Sequence, residues 1–230
     1  MKRRLFAVSC LGALGVFPLT LAAQSKPLTM DEMHKLHHDS KAYIAFLDDP
    51  ARDAYQKPHD VVMALALKDG ERIADIGAGS GYFSLRLAQH VGTGGEILAV
   101  DINPNMILHL NQRIRDAGVG NIRTILALPG DPLLAPSSVD RIFICETWHH
   151  IENHPQYLAL LRKALRPGGQ VIIIDFQKKA TPVGPPPEMR VAREDAVTEF
   201  EHAGFRLAKE HTILPYQYFL VFTSAPTIAK

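Results

Sequence analysis

Short apolar segments alternate with amphipathic ones from Val61 to about residue 203, and this alternation limits the fold more than any other feature. The apolar segments indicate strands at 72–76, 96–101, 122–126, 139–145 and 170–176. The amphipathic segments indicate helices at 60–67, 82–90, 104–116, 154–165 and 193–203. Because strands separated by helices form parallel sheets covered on both faces, the sequence predicts a doubly wound α/β fold.

The alternation ends after residue 203. Segments 205–211 and 217–223 indicate two strands joined by a short turn that contains Pro215. Strands this close in sequence pair antiparallel. We therefore expect a mostly parallel sheet with an antiparallel C-terminal hairpin at one edge.

The length and net charge of the chain limit the classes of partner that it could bind. The 230-residue chain has room for one full hydrophobic core, and its formal net charge is only +1. A balanced charge gives no indication of binding to nucleic acid or to an anionic membrane surface. We expect a small-molecule partner and no nucleic acid, and the composition does not indicate the oligomeric state.

The first 23 residues have the layout of a signal peptide. A basic "MKRR" precedes an apolar run, and small residues then allow cleavage near Ala22 or Ala23. An uncleaved membrane anchor is the alternative. Export to the periplasm, without stable membrane association after cleavage, would remove Cys10 and leave Cys145 as the single thiol, which we expect to be buried.

Three glycines alternate in "ADIGAGSGYF", which follows the first predicted strand. Gly77, Gly79 and Gly81 form G-x-G-x-G, whereas the dinucleotide fingerprint is G-x-G-x-x-G and would need a glycine at Tyr82. A glycine-rich turn between a strand and a helix brings backbone N–H groups close to a nucleotide-like ligand. The stretch also lacks the Lys-Ser/Thr of a phosphate-binding P-loop.

At this point the sequence resembles the class I S-adenosylmethionine-dependent methyltransferases. "DIGAGSGYFS" is similar to their first motif, "GGEILAVDINPNM" to their second strand, and "LRPGGQVIIIDF" to their fifth strand. The terminal hairpin fits their reversed last strand. The resemblance covers about residues 60–224 and implies a Rossmann-like fold in a domain at 60–230, S-adenosylmethionine as cofactor and methyl transfer as activity.

The resemblance implies a set of cofactor-binding residues. Asp101 ends the second strand and would accept the ribose hydroxyls, with a helix-capping role as the alternative. Asp75 would lie near the methionine amino group or only brace the loop. The acid expected after the third strand is absent, so backbone groups at Ala127 and Leu128, or Asp131, would have to bind adenine. The cofactor candidates are Asp75, Gly77, Ala78, Gly79, Gly81, Asp101, Ile102, Leu128 and Glu146.

Catalytic candidates lie in "CETWHHIENHPQYL", which follows the fourth strand. Glu146 takes the polar position after the strand, and Trp148 offers a stacking face. His149 or His150 would serve as a general base if the acceptor carries a proton; otherwise both are loop or packing residues. Metal binding by His149, His150 and His154 was the weaker alternative, and we expect no metal.

A polar, histidine-rich segment at 24–59 precedes the core domain and is expected to be partly helical. In the resembled superfamily such segments lie over the cofactor and help to build the acceptor site. Tyr55, Gln56 and Lys57 are the candidates for this lid, and a simple turn before Pro58 is the alternative. His34, His37 and His38 indicate a solvated surface rather than a metal site.

The motifs bear on three candidate functions for this chain. A methyltransferase acting on a small molecule fits the motifs best. A noncatalytic protein that binds a nucleoside or S-adenosylmethionine on the same fold is the main alternative. A nicotinamide-dependent oxidoreductase disagrees with the glycine spacing and with the terminal hairpin.

Overall fold

The computed structural model of the protein describes residues 29–224, so the predicted leader at 1–23 lies outside the described residues. The helices are α1 (Met30–His38), α2 (Ser40–Leu47), α3 (Asp53–Gln56), α4 (Pro58–Leu65), α5 (Ser84–His90), α6 (Pro104–Ala117), α7 (His154–Ala164) and α8 (Arg193–His202). The strands are β1 (Arg72–Ile76), β2 (Glu96–Asp101), β3 (Ile122–Leu126), β4 (Val139–Cys145), β5 (Leu165–Phe176), β6 (Phe205–His211) and β7 (Gln217–Ser224). Short 3-10 turns lie at Pro50–Arg52, Trp148–His150 and Pro187–Met189. Within 29–224, no helix combines the length and apolarity needed to cross a membrane.

The seven strands form one sheet in the order β3-β2-β1-β4-β5-β7-β6. Strands β1 to β5 pair in parallel, and β7 pairs antiparallel with both β5 and β6. The expected mostly parallel sheet with an antiparallel hairpin is confirmed. The strand order reverses between β1 and β4, and ligands of such sheets bind beyond the carboxyl ends of the strands at this reversal.

Helices cover both faces of the sheet. Successive side chains of a strand point to opposite faces, so Ile97 and Leu98 belong to different layers of the core. Ile97 lies in the layer with α4 and α5, and Leu98 lies in the layer with α7 and α8. Burial of both faces explains why the strands are continuous apolar runs.

The main difference from the expected boundaries concerns β5, which begins at Leu165 instead of residue 170. Leu165 pairs with Val139, and the register shifts before Arg141 pairs with Gln170. The turn residues "RPGG" hid this early pairing, since glycine and proline normally mark a loop.

The expected helical segment before the core consists of α1, α2, a 3-10 turn and α3, which we call the lid segment (residues 29–57). Side-chain oxygens of Thr29, Asp39 and Asp49 cap α1, α2 and the 3-10 turn, so these three elements have defined starts. The lid segment is joined to α6: Asp48 accepts from Arg113 at 2.6 Å and contacts His109 at 2.9 Å. These contacts hold the lid segment beside the carboxyl ends of β1 and β2.

Candidate functional site

Two of the three glycines in the turn after β1 are required by the packing of this chain. Gly77 and Gly81 have φ values of +71° and +84°, which glycine adopts without strain. A Cβ on Gly77 would overlap the side chain of Thr147, and a Cβ on Gly81 would overlap Leu110. The packing therefore accounts for glycine at both positions, and contact of Gly77 and Gly81 with the cofactor stays a prediction.

Gly79 also has a positive φ, of +54°, and a Cβ there would lie 3.0 Å from Leu47 Cδ1 in the lid segment and 3.9 Å from the Gly77 carbonyl oxygen. Its N–H donates to Asp101 Oδ2 at 2.8 Å, and Asn103 N–H donates to Oδ1 at 2.8 Å. Asn103 itself caps α6 by accepting from Asn105. Asp101 is thus not the helix cap, and its carboxylate keeps free lone pairs beside the glycine turn.

Burial raises the pKa of Asp101, and the backbone hydrogen bonds from Asn103 and Gly79 partly oppose this shift. The residue is only partly buried. A carboxylate that is desolvated but lacks a cationic partner is well suited to accept hydroxyl groups of a ligand.

Asp75 lies deeper, with 3% of its surface exposed. It accepts a hydrogen bond from Ser84 Oγ at 2.5 Å, which joins the end of β1 to the start of α5. Burial raises the pKa of Asp75 to about 7, although the bond from Ser84 works against the shift. The structure thus shows the loop-bracing contact, and a role near a methionine amino group stays a prediction.

Two large apolar side chains beside Asp101 are exposed: Ile102 at 57% and Leu128 at 59%. The N–H groups of Ala127 and Leu128 are already used, since they donate to the carbonyls of Asp101 and Asp131. These two N–H groups are therefore not free to bind adenine, and adenine binding by other backbone groups at Ala127 and Leu128, or by Asp131, stays a prediction. The two exposed side chains instead offer apolar surface for a planar base.

A buried polar cluster lies where β4 and β7 meet the lid segment. The Glu146 carboxylate contacts Arg52 at 3.4 Å and accepts from Gln217 at 3.0 Å. Gln217 also donates to Gln56 at 3.1 Å, and Gln56 contacts Cys145 Sγ at 4.0 Å. Among residues 29–224, the buried atoms Arg52 Nε and Gln217 Oε1 have no hydrogen-bond partner. Buried polar atoms without partners are rare and indicate a place for a ligand or water.

Burial is the main cause of the pKa shifts in this cluster. Burial raises the pKa of Glu146, and the positive charge of Arg52 and the bond from Gln217 oppose the rise. The Glu146 side chain keeps 18% exposure, so it lies at the edge of the cluster where a ligand can reach it. Burial, followed by the charge of Glu146, also raises the pKa of Cys145, which disfavours the reactive thiolate. The exposure of Cys145 is intermediate, which corrects the expectation that it is buried.

The three lid candidates have different surroundings. Tyr55 lies beside two aromatic rings, with centroid distances of 6.1 Å to Phe176 and 6.5 Å to Tyr216. Gln56 belongs to the buried polar cluster. Lys57 has a φ of +41° and joins α3 to α4, so its backbone forms the turn before Pro58 that the alternative interpretation required.

His149 and His150 have different environments. His149 Nδ1 lies 2.8–2.9 Å from both oxygens of Asp175, the buried residue near the end of β5. His150 is more exposed, and its ring lies 4.1 Å from His149 and 5.1 Å from His37. Burial and the neighbouring His149 and His37 lower the pKa of His150. The structure thus gives only His149 a carboxylate partner.

Trp148 is fully buried, which corrects the prediction that it stacks on an acceptor. Its ring stacks on His154 at 4.0 Å and packs on Phe200, and its Nε1 donates to Glu199 at 3.1 Å. The indole anchors the turn after β4 to α8, because burying so large a ring stabilises this packing. In the described part of the chain, no three metal-ligating side chains come together.

Three residues of the site were missed in the sequence: Arg52, Asp175 and Gln217. They come from the lid segment, β5 and β7, and no local spacing connects them. Asp175 gave the one usable signal, since it is a charged residue that follows the apolar run "VIII" in a strand expected to be buried.

Comparison with known proteins agrees with this geometry. A family model described as a methyltransferase domain matches residues 67–208, from just before β1 into β6. The chain belongs to this methyltransferase family. The family and the solved S-adenosylmethionine-dependent methyltransferases that it resembles imply S-adenosylmethionine as the cofactor of this methyltransferase domain.

Several known proteins are similar to the methyltransferase domain. A solved S-adenosylmethionine-dependent methyltransferase from Aquifex aeolicus is 26% identical, with a TM-score of 0.77 over 80% of this chain and 98% of that chain. A putative type 11 methyltransferase from Sulfolobus solfataricus shares the fold, with 23% identity and a TM-score of 0.59 over 71% of this chain and 87% of that chain.

Curated relatives are similar over a shorter region. The ubiquinone/menaquinone biosynthesis C-methyltransferase UbiE of Azotobacter vinelandii is 30% identical over 113 residues, which are 49% of this chain and 45% of that protein. The chain therefore spans about half the length of the curated relatives it matches. This similarity supports the methyltransferase assignment and leaves the acceptor open.

Proposed function

We propose that the protein transfers a methyl group from S-adenosylmethionine to a small hydroxylated aromatic acceptor, bound between the lid segment and the carboxyl ends of β4 and β5. The observation that carries this proposal is the buried polar cluster around Glu146. Arg52 Nε can donate to a ligand and Gln217 Oε1 can accept from one, and neither has a partner within the described residues. A cluster enclosed by the lid segment favours a small molecule over a macromolecule.

The residues around the glycine turn fit the cofactor. Asp101 has free lone pairs for ribose hydroxyls, and Ile102 and Leu128 provide apolar surface for the adenine. When bound, the cofactor supplies an electrophilic methyl group on a sulfonium. The chain's own task is then to align an acceptor atom with that methyl group and to exclude water.

The aromatic character of the acceptor rests on two observations. Tyr55 and Tyr216 lie beside the buried Phe176 and place two partly exposed aromatic rings near the polar cluster, and planar ligands pack well on such rings. The curated relatives are named for ubiquinone and menaquinone biosynthesis. A reduced quinone or a related phenol is the acceptor that combines a planar ring with hydroxyl groups.

A transfer assay tests this proposal. Purified protein is incubated with S-adenosylmethionine carrying a labelled methyl group and with a panel of simple hydroquinones, phenols, thiols and amines. We expect label in the hydroxylated aromatic compounds. Tight binding of S-adenosylhomocysteine in calorimetry, with no transfer to the panel or to a metabolite extract, would instead favour a noncatalytic binding protein.

Export is a second, separate proposal, motivated by the predicted signal peptide. We expect the mature protein to begin near residue 23 or 24 when it is produced with its leader in a bacterial host. N-terminal sequencing of protein from the periplasmic fraction tests this, and recovery of the intact leader in the cytoplasm would overturn it.

A further inference from the structure

Asp175 and His149 form a buried pair at the ends of neighbouring strands. The Asp175 side chain is fully buried, and 3% of the His149 side chain is exposed. Asp175 also accepts from the backbone N–H groups of Phe176 at 2.8 Å and of His149 at 3.3 Å. These bonds fix the carboxylate, and the carboxylate in turn fixes the imidazole ring.

The pair defines which nitrogen of His149 carries the proton. A carboxylate accepts hydrogen bonds, so the nitrogen facing Asp175 is Nδ1–H, and the lone pair of neutral His149 is then on Nε2. Nε2 has no hydrogen-bond partner among residues 29–224. Nε2 can therefore bind a ligand, whereas Nδ1 is already bonded to Asp175.

We infer that Asp175 is a positioning residue that makes His149 Nε2 the base for the acceptor's hydroxyl proton. This inference rests on the proposed function. The acceptor oxygen forms a bond to the methyl carbon while the carbon–sulfur bond breaks. The hydroxyl proton passes to Nε2, and the sulfur leaves as a neutral thioether. One positive charge therefore moves from the sulfonium to the imidazole.

The charged groups around His149 favour this transfer. Burial alone lowers the pKa of His149, but the charge of Asp175 and the hydrogen bond to it more than offset burial, so the pKa is raised. Glu146 acts in the same direction, and Arg190 opposes it. His150 on the same turn and His37 on α1 also face the ring and disfavour a second positive charge. The turnover number should consequently rise with pH and level off above the raised pKa.

Asp175→Asn tests the inference, because the amide of asparagine does not hold His149 in the Nδ1–H form. It also carries no negative charge to stabilise the positively charged His149 ring. The matched control is Glu199→Gln, since Glu199 contacts His154 Nδ1 at 2.8 Å, the same distance as in the Asp175 pair. Two measurements are made on each protein. One is the pKa and tautomer of His149 from nitrogen-15 NMR, and the other is the turnover number against pH with hydroquinone as acceptor.

For Asp175→Asn we expect the NMR pKa of His149 and the midpoint of the rate profile to move together to lower pH. The limiting rate should fall by at least about 10-fold, and His149→Gln should lower it by about 10²–10⁴-fold, with S-adenosylhomocysteine affinity retained in both. Glu199→Gln should leave the midpoint unchanged.

Equal midpoints in wild type and Asp175→Asn would overturn the inference, as would a rate that falls with rising pH. Absence of transfer to hydroquinone, with S-adenosylhomocysteine still bound, would overturn both the base and the acceptor class. Transfer to hydroquinone at a rate that is the same in wild type and His149→Gln would overturn the base alone. If S-adenosylhomocysteine does not bind the wild-type protein, the proposed function itself fails.

Discussion

Replacement of Asp101 by alanine should weaken cofactor binding and the apo fold by separate amounts. Each charge-assisted bond to a ribose hydroxyl contributes about 1.5–3 kcal/mol, which corresponds to about a 10- to 150-fold loss of affinity per bond. The same change removes the acceptor for Gly79 N–H and Asn103 N–H. At about 1 kcal/mol for each of these two bonds, the melting temperature should fall by about 4–8 °C.

Calorimetry with S-adenosylhomocysteine and thermal unfolding of the apo protein measure the two effects. Asp140→Ala is the matched control, because Asp140 also accepts one backbone N–H, from Arg72, but lies at the amino ends of β1 and β4, at the opposite end of the sheet from the glycine turn. We expect that control to lose some stability and to keep its affinity. If Asp101→Ala melts lower yet binds S-adenosylhomocysteine like wild type, Asp101 only braces the turn, and its assignment to the ribose is wrong.

Three further predictions concern the site. Gly77→Ala should destabilise the fold by about 2–5 kcal/mol in urea unfolding, because its φ is positive and its Cβ would overlap Thr147; a wild-type midpoint would contradict this. Arg52→Met should destabilise by about 3–5 kcal/mol at pH 8, since Glu146 would lose its cation, and the loss should shrink as the pH falls and the carboxyl protonates. Burial raises the pKa of Asp75 to about 7, so the folded state binds this proton more tightly than the unfolded state does. The free energy of unfolding should therefore fall as the pH rises from about 4 to about 7. Asp75→Asn should flatten this dependence of stability on pH, and an unchanged dependence would exclude Asp75 as its source.

Local sequence patterns were sufficient to predict the sheet. Strands β1 to β4 lie at the expected positions, because buried parallel strands are continuous apolar runs with helices between them. Asp101 could be placed at the end of β2 beside the glycine turn for the same reason. The position of a residue at a strand end depends only on the strand itself and on the order of the sheet.

The chemical surroundings of the site were decided by the tertiary structure. Trp148 looked like a stacking surface, yet the packing of α7 and α8 buries it, and Gly77 and Gly81 make room for side chains of this chain. Asp175 and His149 are 26 residues apart, and Arg52 and Glu146 are 94 apart. Contacts over such distances arise where strand ends and the lid segment meet. Sequence periodicity reports which face a residue occupies, and only the assembled sheet determines which neighbour it contacts there.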